Sequence, residues 1–182
     1  AGLERIPGEG ACILVSNHVS FVDAVVIAGS VRRPVRFVMD HRIFAVPVLS
    51  FIFRTMKTIP IASGKVDAAM KAAAFDRVAE ALAAGEIVCI FPEGRLTDTG
   101  EMNAFRPGVQ AIVARTPVPV YPMALSGLWG SFFSRASQGR AMQRMRGVFS
   151  RIAISVGAPL APADATPERL QQAVLALRGA TR

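Results

Sequence analysis

Short apolar runs, each closed by a turn and followed by a longer helical stretch, recur along this chain, and that alternation constrains its fold most. Runs such as Ala11–Ser16 (ACILVS) and Ile87–Phe91 (IVCIF) present no polar face. A strand built from them must be covered on both sides, as strands in parallel sheets are. The expectation is therefore an α/β fold: a single domain over residues 1–182, with a mostly parallel central sheet of about six or seven strands flanked by helices. Further strands are expected at Pro34–Met39, Lys57–Ile61, Val118–Ala124 and Arg151–Val156. Pro60 places the third of these at an edge or a strand end. Helices are expected at Phe21–Val31, Pro47–Met56, Val66–Ala84 and Pro107–Arg115. Asp67 falls in the first turn of one of them and Gly85 closes it, while Thr166 caps a final helix that begins with Pro167.

Sheets of this kind bind ligands beyond the C-terminal ends of their strands. The two most polar exits are Ser16–Asp23 (SNHVSFVD) and Pro92–Gly100 (PEGRLTDTG). In the first, His18 lies between a strand and a helix, and Asp23 follows five residues later. If the chain folds back there, the carboxylate reaches the imidazole, fixes its tautomer and makes the other ring nitrogen a general base. The competing reading is a plain helix cap by Asn17 or Ser20, with His18 merely exposed. Ser20 is poorly placed as a nucleophile. In the second exit, Pro92 and Gly94 make a tight turn around Glu93. Glu93 could accept a hydrogen bond from a hydroxyl, and Arg95 could hold a phosphate bidentately. The competing reading is a solvated loop. The lysine and glycine spacing of a P-loop is missing, which argues against nucleotide binding.

Taken together, the two exits make the chain resemble the glycerophospholipid acyltransferases, which acylate lysophosphatidic acid (1-acylglycerol-3-phosphate) and other lysophospholipids. The matching residues are His18 and Asp23, preceded by Asn17; Phe91–Gly94 (FPEG) about 75 residues later; and a short apolar strand ending in proline, VPVYP, at Val118–Pro122. Within that family the chain looks most like the module fused to bacterial lysophospholipid transporters. The resemblance implies His18 as general base oriented by Asp23, with Asn17, Glu93, Gly94, Arg95 and Pro122 contacting substrate. It implies a lysophospholipid acceptor, acyl-CoA or acyl carrier protein as donor, and neither a cofactor nor a metal. The chain departs from the family where Arg95 follows Gly94 directly, where VMDHRIF lacks a lysine, and where IPIASGK offers Lys65 in place of an arginine. These departures bear on the acceptor's phosphate.

The net charge of +8 comes from 18 arginines and 3 lysines against 13 acids, and points to an anionic partner. No acid occurs between Met102 and Ala163, a stretch that holds Arg140, Arg144 and Arg146 among interspersed methionines. An anionic membrane surface suits that pattern. Nucleic acid is not expected as a partner: with one Trp and one Tyr there is no stacking platform. Trp129 in SGLWGSFF reads either as an interfacial anchor or as ordinary packing. Apolar Pro47–Met56 reads as an acyl-pocket wall, a membrane-dipping helix or a core helix. No run approaches the roughly 20 apolar residues of a membrane span. The expected site of action is the cytoplasmic face of the cell membrane, as a peripheral module. Cys12 and Cys89 match no metal or redox spacing and read as buried thiols of a reducing compartment. The opening AGLERIPGEG reads as mid-protein sequence, so an excised piece of a longer polypeptide is expected.

Overall fold

The strands form where the apolar runs predict them, because each run has neighbours on both faces. The structure, a computed structural model, describes residues 1–42, 54–63, 66–130 and 151–179. Among the described residues there are six strands: β1 (Cys12–Ser16), β2 (Val35–Asp40), β3 (Ile59–Ile61), β4 (Ile87–Ile90), β5 (Val120–Ser126) and β6 (Ala153–Val156). They form one sheet in the order β3-β2-β4-β1-β5-β6, parallel throughout except that β6 runs antiparallel to β5. Among the described residues, the sheet is flanked by α1 (Asp23–Ser30), α2 (Ala68–Ala83), α3 (Gly108–Arg115) and α4 (Pro167–Arg178).

The period of two along each strand splits the core into two layers. Cys12 and Leu14 of β1 join Phe37, Cys89 and Met123 against Ala24 and Ile27 of α1. Ile13 and Val15 face the other way, with Val88 and Val120, against Val78 and Leu82 of α2, Ile112 of α3 and Leu170 of α4. Burying each large aliphatic side chain contributes about 1.5–3 kcal/mol, so the sheet is held chiefly from its middle strands outward. Cys12 and Cys89 are free and buried; burial pushes the Cys12 thiol up to about 11 despite nearby Arg33, and pushes Cys89 higher still.

Local signals set the ends. Asp67 caps α2 from outside its first turn, accepting from the Met70 amide at 2.8 Å, because the helix begins two residues later than the expected Val66. Gly85 follows at φ +78, a conformation that favours glycine. Thr166 accepts from the Arg169 amide at 3.3 Å, with Pro167 as the first helical residue. Pro60 does lie in an edge strand: β3 pairs with β2 alone. Most of the expected helix Pro47–Met56 lies outside the described residues.

Candidate active site

The register of the middle strands assembles the site. Val15 pairs with Ile90, and β1 and β4 run parallel, so the two polar exits emerge side by side. The 75-residue gap between His18 and Glu93 is closed by one strand pairing.

At the β1 exit, Asn17 continues the sheet with its side chain. Its Nδ2 donates to the Leu125 carbonyl at 2.9 Å and its Oδ1 accepts from the Leu125 amide at 2.8 Å. The amide thus copies a backbone pair and delivers His18 at the rim. The chain then reverses. Asp23, the first residue of α1, reaches back, and its Oδ2 accepts from the Val19 amide at 2.8 Å and the Ser20 amide at 3.0 Å. The same oxygen meets His18 Nδ1 at 2.8 Å. Asp23 is fully buried, while the His18 side chain keeps 23% of its surface exposed. A carboxylate on Nδ1 holds the proton there, so Nε2 carries the lone pair. Nε2 has no hydrogen-bond partner among the described residues. The other Asp23 oxygen, Oδ1, is also buried without a partner among them. Neither Asn17 nor Ser20 caps α1.

The β4 exit grips the same histidine from the other side. The Phe91 ring stacks on the imidazole, with centroids 4.3 Å apart and planes 18° apart. Glu93 Oε1 accepts from the His18 amide at 2.7 Å. Glu93 Oε2 accepts from the Asn103 amide at 2.7 Å and from Asn103 Nδ2 at 2.9 Å. The Thr97 amide donates to the His18 carbonyl at 3.1 Å. Burial pushes the Glu93 carboxyl above the usual range, against the opposing pull of the Asn103 and His18 amides. Gly94 turns the loop at φ +65, and the Arg106 guanidinium lies flat against it, where a Cβ would come within 2.9 Å of Nη1.

Several residues therefore stand differently from their expected roles. Asn17 was expected to touch substrate, but both ends of its amide are spent on Leu125. Glu93 was expected to present itself to an acceptor hydroxyl; it is 1% exposed and both oxygens are occupied by the protein. Pro122 was expected at a strand end. It is buried in the interior of β5, opposite Val15, because β1 pairs with that strand as far as Met123 and β6 pairs with it from Met123 to Ser126. Gly94 and Arg95 are exposed at the rim. Arg95 spends Nε and Nη2 on Asn103 Oδ1, at 3.2 and 2.9 Å. Trp129 packs on Gly100, which supports the packing reading. Arg140, Arg144 and Arg146, expected at a membrane surface, lie outside the described residues, as does Lys65.

Sequence reasoning missed Phe91 as a stacking partner, Thr97, Asn103 and Arg106. Arg106 had a signal: it is the first arginine of the acid-free stretch and directly precedes Pro107. Among the described residues its guanidinium makes no ion pair.

The rim thus holds a partly exposed imidazole oriented by a buried carboxylate, and the loop beyond β4 carries the exposed side chains of Arg95 and Arg106. Residues 1–126 match the family model described as Acyltransferase. A chloroplastic 1-acyl-sn-glycerol-3-phosphate acyltransferase of Brassica napus is 32% identical over 76% of this chain and 39% of its own length. A 1-acyl-sn-glycerol-3-phosphate acyltransferase of Pseudomonas aeruginosa is 32% identical over 68% of this chain and 47% of its own. The chain thus spans less than half of either relative. Among solved structures, the 1-acyl-sn-glycerophosphate acyltransferase of Thermotoga maritima superposes with a TM-score of 0.70 at 22% identity, covering 96% of this chain and 66% of that one. That likeness fixes the fold.

Proposed function

The chain belongs to the acyltransferase family, and from that premise we propose that it transfers a fatty acyl group from acyl-CoA or acyl carrier protein to the free hydroxyl of a lysophospholipid. The observation that carries this reading is the 2.8 Å contact between His18 Nδ1 and buried Asp23, which leaves Nε2 free at a strand exit. In the proposed reaction Nε2 takes the acceptor's hydroxyl proton as the oxygen attacks the thioester carbonyl. The tetrahedral intermediate then collapses, the C–S bond breaks, and the thiol leaves with the proton returned from Nε2. The products are an ester and a free thiol, and the balance calls on no metal or cofactor. General base catalysis supplies about 10²–10⁴-fold; positioning and electrostatic stabilisation must supply the rest.

Arg95 and Arg106 at the rim support an acceptor that carries a phosphate, lysophosphatidic acid being the simplest. Arg140, Arg144 and Arg146 belong to the proposed membrane-facing surface of a peripheral enzyme, acting at the cytoplasmic face. Among the described residues no helix is long and apolar enough to cross a membrane. The deciding experiment measures thiol release from an acyl-CoA against a panel of lysophospholipids. Release that requires an acceptor and yields the diacyl product supports the reading. Acceptor-independent release indicates a hydrolase, and no release from either thioester donor overturns the assignment. Co-sedimentation with anionic but not neutral vesicles, weakening with salt, tests the membrane surface.

A further inference from the structure

Three contacts converge on one residue from a single loop: the Phe91 ring on the His18 imidazole, Glu93 on its amide, and the Thr97 amide on its carbonyl. None of them uses a group left over for substrate. The geometry points to Glu93 as a positioning residue that holds the His18 backbone in place, and not as a ligand of the acceptor. This rests on the proposed acyl transfer with His18 as base.

The argument is one of hydrogen-bond accounting. A carboxylate accepts only, and here it faces three N–H donors: the His18 amide on Oε1, and the Asn103 amide and Nδ2 on Oε2. The side chain is 1% exposed, so a hydroxyl could reach it only by displacing one of them. Backbone amides buried without an acceptor are costly, and displacement would free the histidine it serves. Asn103 extends the brace outward, because its Oδ1 takes both nitrogens offered by Arg95. The order is therefore Arg95, Asn103, Glu93, His18, a chain of polar contacts running from the exposed rim to the base. A corollary concerns the oxyanion: the His18 amide is already engaged and cannot serve as a donor to the tetrahedral intermediate.

The test is Glu93→Gln in the full chain, assayed with a lysophospholipid and an acyl-CoA and followed by amide hydrogen exchange. Gln keeps the shape but must point an N–H at one of the donors. The expected result is a fall in kcat of about 10- to 100-fold, the scale of a small misplacement of a catalytic group, with the KM of both substrates changed by less than about twofold. Exchange at the His18 amide should accelerate at least tenfold. Asn103→Ala, which removes one of the three bonds and leaves His18 braced, should give the same pattern at smaller size. It serves if Glu93→Gln does not fold. A rise in acceptor KM with kcat preserved overturns the proposal and makes Glu93 an acceptor ligand, as does unchanged exchange at His18. If the wild-type protein shows no transfer, the functional reading fails. The exchange result then still decides whether Glu93 braces His18.

Discussion

The two strand exits hold the same histidine by opposite means. At the β1 exit, the bonds from His18, Val19 and Ser20 to Asp23 span five residues or fewer. That device closes on itself wherever the turn forms. At the β4 exit, every grip on His18 is long-range, and Glu93 reaches it across 75 residues of sequence. The local device sets the chemistry of the imidazole through its tautomer and the direction its free nitrogen faces. The distant one sets where the imidazole stands. Chemistry and placement are thus assigned to separate pieces of chain, and they should fail separately.

The largest expected effect falls on the local side. His18→Ala should lower kcat by at least about 100-fold, since a general base contributes that much, while the melting temperature stays within a few degrees. Retention of more than about a tenth of the rate would remove the base from His18. Asp23→Asn should cost less activity than His18→Ala, because it removes orientation and charge but not the base. Comparing kcat of the two variants under saturating substrate settles the order.

Next comes Asn17→Ala, which strips both partners from the Leu125 backbone. Leaving buried amide groups unpaired costs about 1–3 kcal/mol each, so chemical denaturation should show a loss of that order. Acceptor KM should hold; a KM effect without destabilisation would return Asn17 to the substrate. Arg106→Gln should be milder. Removing one charged contact to a phosphate corresponds to roughly a tenfold rise in acceptor KM. It should spare an acceptor lacking the phosphate, and an equal effect on both acceptors would place Arg106 elsewhere.

The smallest effect is a pH slope. Burial raises the Glu93 carboxyl in the folded state, so the folded protein binds its proton more tightly than the unfolded chain. That contribution to stability is fully present below the ordinary carboxyl range and is lost as pH rises through the raised value. Glu93→Gln has no such proton. Its stability relative to wild type should therefore improve as pH rises through that window. A gap that narrows on acidification instead would mean that the amide contacts outweigh burial.

The same division explains what could be read from the sequence. The strands were legible because Ala11–Ser16 and Ile87–Phe91 have no polar side, and Pro60 marked its edge correctly. The proximity of His18 and Asp23 was legible because a strand-to-helix turn brings residues at that spacing together. Asn17 was misread because Leu125, its partner, is 108 residues away. Glu93 looked available because Asn103 and the His18 amide reach it only through the loop's return and the β1–β4 pairing. Pro122 was placed at a strand end only by the family block VPVYP, whereas the apolar run to Ala124 already carried the expected strand past it. Here β5 keeps its pairing with β1 on one side, while the Pro122 carbonyl accepts from the Gly157 amide at 2.9 Å on the other.

The margins of the sheet carry a consequence of their own. At one side β3 is only Ile59–Ile61 and contains a proline. At the other, the Val156 amide of β6 donates to the Ala1 carbonyl at 3.0 Å, and its carbonyl accepts from Arg5 Nη1 at 2.8 Å. A second chain seeking to add a strand meets a short, donor-poor border on the left and an occupied one on the right. Strand-by-strand aggregation starts from open sheet edges, and among the described residues this fold leaves little for such growth to start from.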